Sequence, residues 1–177
     1  VGPEVDLCVD ANEGYATPGE AIRTIRQMEQ YGLKYAEQPV MGIERIAEVA
    51  RALDTPVMAD ESAWNAHDAI QIAEQHAIDI VSIYTTKPGG LYRAMEVAAV
   101  CRAAGIICNV NGSIEMGVGN LANLQLAAAC PASAASILPP PPVSACPGPF
   151  TRQSSISPKG CGRRSLRLPL HTPSISL

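Results

Sequence analysis

The chain has 177 residues, with 17 Asp and Glu against 13 Lys and Arg and a formal net charge of −4. This length is typical of one domain, and no apolar run reaches the ~18 to 20 residues that a membrane span needs. The acidic balance offers no basic surface for nucleic acid, and no signal peptide opens the chain. We therefore expect a cytoplasmic protein with neither nucleic acid nor a membrane as partner.

Charge is divided unevenly along the chain. Residues 1–130 carry 8 basic and 17 acidic residues, whereas residues 131–177 carry 5 basic residues and no acidic one. The second segment also holds ten of the fifteen prolines, four of them in a row at 139–142, and nine serines. Such a composition supplies neither a packed core nor a ladder of backbone hydrogen bonds. We predict a folded domain over residues 1–130 and a disordered Pro/Ser-rich tail over residues 131–177.

Two other interpretations of the tail are open. The abrupt loss of acidic residues after a well-patterned region also fits a frameshift or a mis-assembled gene, so that the tail would be out of frame. Sequencing the encoding DNA tests this, because the hypothesis requires another frame that continues the fold. A proline-rich recognition tail is the remaining interpretation, and binding to an SH3- or WW-type domain would support it.

The cysteines and histidines suggest no site of their own. The six cysteines form no C-x-x-C pair and no Cys and His spacing typical of zinc. Cysteines scattered through apolar segments are usually reduced, buried side chains. His67 lies in the first turn of a predicted helix and His76 near the end of the same one, rather than at a strand end, so we predict that both lie on the surface.

Short apolar segments alternate with amphipathic segments up to residue 130. Each predicted strand ends in a polar residue, and these ends lie 27, 23, 24 and 25 residues apart, at Asp10, Glu37, Asp60, Tyr84 and Asn109. The predicted helices between and after them cover residues 18–31, 43–53, 65–75, 91–104 and 116–129. Thr17 followed by Pro18 is typical of a helix start, and Gly105 of a helix end.

This alternation predicts the fold class. Strands joined by helical crossovers run parallel, and a near-constant period with short loops favours a (β/α) barrel over a doubly wound sheet. No glycine-rich phosphate loop follows the first strand, which argues against a nucleotide-binding sheet. We therefore predict an α/β fold, a partial (β/α) TIM-type barrel, with its active site at the carboxyl ends of the strands.

Three successive strand ends supply a carboxylate, at Asp10, Glu37 and Asp60. Carboxylates that share one mouth repel one another unless a cation neutralises them, and oxygen-only ligands favour Mg²⁺ or Mn²⁺. A single acid after a strand more often caps the next helix or stays in solvent. Because the acids recur at equivalent positions, we predict that these three residues bind Mg²⁺, with Mn²⁺ as the alternative.

Four short motifs resemble the barrel of the enolase superfamily, in its muconate lactonizing enzyme branch: Asp10-Ala11-Asn12, Glu37-Gln38-Pro39, Asp60-Glu61-Ser62 and Lys87-Pro88-Gly89-Gly90. The resemblance covers residues 1–129 and implies about strands three to eight of an enolase-type barrel. It implies that the three acids hold magnesium, which binds a small carboxylate substrate while an α-proton is removed to give an enolate. Glu61 and Asn12 would neighbour the metal site. A family-like homo-oligomer is also expected.

This chain departs from the family pattern at the sixth barrel strand. The family places a catalytic lysine three positions before the lysine of the Lys-x-Gly-Gly motif, and Tyr84 stands there. Lys87 matches the outer lysine and is predicted to be a structural loop residue. Hydroxyls in place of the lysine resemble those of the cis-3-hydroxy-L-proline dehydratases of this branch. Tyr84 and Thr85, with Thr86 beside them, are therefore predicted to act in catalysis.

The resemblance implies dehydration of a cyclic imino acid such as cis-3-hydroxy-L-proline. In this interpretation Tyr84 assists loss of hydroxide, and Glu115 orients the substrate or relays a proton. Glu115 fits equally well as a helix-start carboxylate, and Trp64 as a pocket wall or a packing residue. The alternatives are an epimerase or cycloisomerase of the same branch and a non-catalytic fragment. The latter is open because the Lys-x-Lys motif that carries the base of the opposite face does not occur in the 177 residues.

Overall fold

The computed structural model describes residues 5–113 and 115–130 of the chain. Five strands lie in these residues: β1 (Leu7–Asp10), β2 (Leu33–Glu37), β3 (Val57–Ala59), β4 (Ile80–Ile83) and β5 (Ile107–Val110). They alternate with five helices: α1 (Pro18–Glu29), α2 (Ile43–Ala52), α3 (Ala66–Gln75), α4 (Leu91–Ala104) and α5 (Gly117–Ala129). The predicted disordered tail and its two alternatives lie outside the described residues, and the domain boundary after residue 130 stays a prediction.

All neighbouring strands pair in parallel, and their order in the sheet follows the chain, β1-β2-β3-β4-β5. A doubly wound sheet reverses its strand order at a switch point, whereas a (β/α) barrel adds each strand beside the previous one. The predicted partial TIM-type barrel is therefore confirmed. The register places Asp10 opposite Glu37 and Ser82 opposite Asn109.

Local signals set the ends of the helices. The Thr17 side chain caps α1 by accepting a hydrogen bond from the Glu20 amide at 3.2 Å, as predicted for this residue. Asn65 caps α3 in a capping box that Asp68 completes. Helix α4 ends at Gly105, whose φ of 75° is a left-handed conformation that glycine adopts without a steric penalty. The sheet and helix boundaries thus lie within a few residues of those predicted.

The hydrophobic core lies between the sheet and the helices. Successive strand residues point to opposite faces, and one face packs on the helices. Fully or almost fully buried residues on this face include Ala36, Val57, Val81, Cys108 and Val110. The helices contribute Ile25, Ile46, Ile72, Val97 and Leu126 to the same cluster. The opposite face carries Asp10 and Glu37 at the strand ends, together with Met58, which is fully buried.

Three of the four cysteines in the described residues are buried, and all four are free thiols. Cys8 is exposed, which corrects the prediction that the cysteines are buried. It lies on outer strand β1, on the face that carries Asp10 and not on the face where the helices pack. His67 and His76 are exposed, as predicted. Within the described residues, no helix is sufficiently long and apolar to cross a membrane.

Candidate active site at the strand ends

The parallel sheet brings the three predicted acids to one edge. Asp10 and Glu37 end β1 and β2 and lie opposite each other, and Asp60 directly follows β3. Because the side chains alternate along each strand, Asp10 and Glu37 point to the same face of the sheet. The charges of Asp10 and Asp60 both act on Glu37, which places the three carboxylates in one electrostatic environment.

Glu37 is the most perturbed of these acids. Glu37 is only 7% exposed. This burial is the main reason why the pKa of its carboxyl is raised to about 7. The charges of Asp10, Asp60 and then Glu61 add to this increase, whereas the ammonium of Lys87 opposes it. At neutral pH this carboxyl therefore favours a proton or a nearby cation more than an ordinary glutamate does.

The donor chemistry of the three acids fits a hard divalent cation. However, among the residues that the structure describes, no group of three or more His, Cys, Asp and Glu side chains is arranged to hold a metal ion. All three acids instead accept hydrogen bonds from the protein, Asp10 from the Asn12 amide at 3.0 Å, Glu37 from Asn111 at 3.0 Å and Asp60 from Lys87 at 2.6 Å. The Mg²⁺ site thus stays a prediction.

Lys87 is bound to the same edge by three hydrogen bonds. Its Nζ donates to Asp60 Oδ1 at 2.6 Å, to the Asp60 carbonyl at 3.0 Å and to the Ser82 carbonyl at 2.6 Å. Only 3% of its side chain is exposed, and burial lowers the pKa of Lys87 while Asp60 opposes that effect. Three acceptors use all three N–H groups of an ammonium. This is the bonding of a structural lysine.

Tyr84 lies just beyond β4 and is partly buried. Its ring centroid is 4.5 Å from Lys87 Nζ. Burial first, and then the charges of Asp60, Glu61 and Glu115, raise the pKa of Tyr84 above its ordinary value. The phenol therefore stays protonated at neutral pH, so it is a hydrogen-bond donor and a poor base.

The two threonines after Tyr84 point to different partners. The amide and the hydroxyl of Thr85 both donate to Asn123 Oδ1 at 2.9 Å, in the buried contact between this loop and α5. Thr86 Oγ1 lies 3.3 Å from Glu115 Oε1. Thr86 is thus the hydroxyl that contacts the predicted acid Glu115, and the catalytic role of Thr85 stays a prediction.

Glu115 lies just before α5 and is bonded locally. Its Oε2 accepts from the Ser113 amide at 2.5 Å, and its carbonyl accepts from Asn120 Nδ2 at 3.0 Å. The carboxylate thus bonds the turn before α5, and among the described residues no side chain caps the N-terminus of this helix. The charge of Glu115 also reaches Tyr84, and its role in orienting the substrate or relaying a proton stays a prediction.

The loop after β3 adds a fourth acid to the edge. Burial, followed by the charges of Asp60 and Asp10, raises the pKa of Glu61. Its Oε2 is buried without a hydrogen-bond partner among the described residues. Trp64 Nε1 donates to the Glu61 carbonyl at 2.8 Å, while 54% of this residue is exposed. Trp64 is therefore not a buried packing residue, and its role as a pocket wall stays a prediction.

Two amides in the site were not identified from the sequence. Gln38 is fully buried, and its Oε1 accepts from the amides of Asp60 at 2.8 Å and Ser62 at 3.2 Å. Asn111 Nδ2 donates to Glu37 Oε1 and to Ser82 Oγ, both at 3.0 Å. The sequence signal for Gln38 is its place in the Glu37-Gln38-Pro39 motif, next to a strand-end acid, and the signal for Asn111 is the alternation of asparagines at the end of a strand.

These features define an α/β barrel protein with an acidic site at the carboxyl ends of its strands. Residues 1–150 match the model of the Enolase C-terminal domain-like family, and the chain belongs to that family. It is 40% identical over 113 residues to muconate cycloisomerase 1 from Rhodococcus opacus, which covers 63% of this chain and 30% of that protein. It is 38% identical over 133 residues to L-Ala-D/L-Glu epimerase from Clostridium acetobutylicum, covering 73% and 37%.

A solved structure agrees with these relatives. The crystal structure of the dipeptide epimerase from Enterococcus faecalis, complexed with Mg and the dipeptide L-Leu-L-Tyr, matches with a TM-score of 0.73 and 32% identity, over 76% of this chain and 39% of that chain. The chain spans between 30% and 40% of the length of the curated relatives it matches. The superfamily inferred from the four motifs is confirmed. These relatives are named as a cycloisomerase and epimerases, and a particular likeness to hydroxyproline dehydratases is not shown.

Proposed function

We propose that the protein is an isomerase, an epimerase or cycloisomerase that removes an α-proton from a small carboxylate substrate. The observation that carries this proposal is that Asp10, Glu37 and Asp60 lie together at one edge of the sheet. The proteins to which this chain is similar are named for such reactions. Dehydration of a cyclic imino acid, which the sequence motifs implied, is the second candidate. A homo-oligomer is part of the same proposal.

Asp10, Glu37 and Asp60 would hold Mg²⁺ or Mn²⁺. When bound, the cation supplies the positive charge that stabilises a substrate carboxylate while its neighbouring proton is removed. Two observations support this assignment: the donors are all carboxylates, and burial, with the charges of Asp10 and Asp60 added to it, raises the pKa of Glu37 to about 7. Mg is also present in the related Enterococcus faecalis epimerase structure.

The other residues of the site would orient groups and exchange protons. Lys87 holds Asp60 through its ammonium, and its bonding leaves it no part as a base. Tyr84 stays protonated, so it donates a hydrogen bond or a proton on its own side of the substrate. The base that removes the α-proton must therefore approach from the opposite side.

Tyr84 also supports a second candidate function. A two-base epimerisation needs groups on both faces that accept and return a proton, and a phenol with a raised pKa accepts one poorly. The same phenol can protonate a departing hydroxide. Dehydration of cis-3-hydroxy-L-proline is therefore the second candidate.

The experiment compares three substrates with one reporter. The full-length gene product is incubated with Mg²⁺ in deuterated water and, in turn, L-Ala-L-Glu, cis,cis-muconate and cis-3-hydroxy-L-proline, and the reactions are followed by proton NMR. The proposal expects epimerisation with deuterium at the α-carbon of the dipeptide, or lactone formation from muconate. Turnover of the hydroxyproline alone would contradict the isomerase proposal and select the dehydratase.

A further inference from the structure

Ser82 joins two hydrogen-bonded arms beneath the acidic edge. It lies on β4, which contributes no acid to the edge, and it is fully buried. Its carbonyl accepts from Lys87 Nζ at 2.6 Å, and its Oγ accepts from Asn111 Nδ2 at 3.0 Å. Lys87 continues to Asp60 and Asn111 to Glu37, so two of the three acids are tied to one serine.

The Asn111 arm fixes an orientation more tightly than a single contact would. A carboxamide nitrogen has two hydrogens, and its bonds to Glu37 Oε1 and Ser82 Oγ use both. Hydrogen bonds to an ionised acceptor are the stronger class, and Glu37 is only 7% exposed. Water therefore has little room to replace this donor.

We propose that Asn111 is a positioning residue, which together with Ser82 sets the orientation of the Glu37 carboxylate as a cation ligand. This inference rests on the proposed function, since Glu37 is a ligand only there. Partners of ligating carboxylates typically change metal affinity by about 10- to 100-fold when they are removed. Asn111 acts through Glu37, and its loss should therefore be visible in cation binding itself.

The strand provides a matched control two residues earlier. Asn109 is buried at 2% exposure on the same face of β5, but its Nδ2 approaches Met58 Sδ at 3.7 Å. Asn109→Leu and Asn111→Leu thus each remove a polar amide from one strand. Asn111→Leu removes the hydrogen bond to Glu37 Oε1 at 3.0 Å, whereas Asn109→Leu removes the contact with Met58 Sδ.

The test is Mn²⁺ binding by the chain, measured by isothermal titration calorimetry slightly above neutral pH, beside thermal melts of each variant. We expect about 10- to 100-fold weaker binding for Asn111→Leu and unchanged affinity for Asn109→Leu. Ser82→Ala, which keeps the Asn111 contact with Glu37, should weaken binding less than Asn111→Leu. If Asn111→Leu does not fold, a measurable loss for Ser82→Ala is the required result.

Three outcomes would overturn the inference, and they differ in what else they remove. Wild-type affinity in both Asn111→Leu and Ser82→Ala would remove the positioning role and leave the proposed function intact. Equal losses in Asn111→Leu and Asn109→Leu would reduce the effect to strand stability. A wild-type chain that binds no Mn²⁺ would overturn the proposed cation site, and the positioning role with it.

Discussion

The ends of β1 to β3 and the ends of β4 and β5 form two chemically different halves of the site. The first, the acidic half, carries Asp10, Glu37 and Asp60. The second, the donor half, carries the Lys87 ammonium and neutral polar groups, with Glu115 in the loop between β5 and α5. Hydrogen bonds run from the second half to the first, from Lys87 to Asp60 and from Asn111 to Glu37. Asp60 and Glu37 are therefore held by donors that follow β4 and β5, whereas Asp10 accepts from the Asn12 amide of its own loop.

Burial shifts the pKa values of the two halves in opposite directions. It raises the pKa of Glu37 to about 7 in the acidic half and lowers the pKa of Lys87 in the donor half. In each case the neutral form gains, because removal from water penalises the charge. The contact between the halves counteracts this, since Asp60 favours the charged form of Lys87.

The largest expected effect comes from breaking the acidic half at its contact with the donor half. Asp60→Asn removes a proposed cation ligand and leaves the Lys87 ammonium without its carboxylate. We expect loss of α-proton exchange and of turnover in the full-length gene product, together with a loss of about 3 to 5 kcal/mol in stability. Proton NMR in deuterated water and chemical denaturation measure the two. Retained exchange would exclude Asp60 from the site.

The next largest effect tests the donor half. Tyr84→Phe removes a protonated phenol without changing the ring, so product formation should slow by about 10²- to 10⁴-fold, while α-proton exchange from the opposite face persists. Deuterium incorporation and product formation are followed in the same NMR samples. Tyr92→Phe is the control, because Tyr92 is 78% exposed. Unchanged product formation in Tyr84→Phe would show that the phenol takes no part.

A third prediction concerns pH and the Glu37 carboxyl. Its pKa rises from 4.5 to about 7 on folding, so the folded state binds the proton more tightly than the unfolded chain. The resulting stability is complete below pH 4.5 and is lost as pH rises through about 7, which corresponds to about 3 kcal/mol. Urea unfolding without added metal measures it. Glu37→Gln should flatten this dependence, and an equally steep profile in that variant would assign it to another group.

The acidic half could be predicted from the sequence, whereas the contacts of the donor half could not. The strand ends and helix caps follow local patterns, and Asp10, Glu37 and Asp60 were found because parallel strands end at one edge. The donor half depends on contacts between distant residues. Asn111 and Glu37 are 74 residues apart, and Thr85 and Asn123 are 38 apart. A period of about 25 residues contains no information about which side chains meet across it.

The sequence predicts where the backbone places the three acids, but not how their side chains meet a cation. The sequence indicates that three carboxylates share an edge, but the distance at which they meet a cation depends on side-chain orientation. Gln38 illustrates this dependence, since its buried carboxamide fixes the loop after β3 through the amides of Asp60 and Ser62. Its φ of 33° is a left-handed conformation that is rare for a residue other than glycine. No local pattern specifies that geometry.

The smallest expected effect lies outside both halves, at the start of α3. Asn65 Oδ1 accepts from the amides of His67 at 2.8 Å and Asp68 at 3.3 Å, which satisfies two helix N–H groups. Asn65→Ala should therefore cost about 1 kcal/mol in unfolding free energy, as should Thr17→Ala at the start of α1. Mn²⁺ affinity should not change in either variant, because neither cap contacts a strand-end acid. Weaker Mn²⁺ binding in Asn65→Ala but not in Thr17→Ala would contradict this expectation. It would show that the loop from Asp60 to Asn65 couples the start of α3 to the cation site, so that the acidic half includes the start of α3.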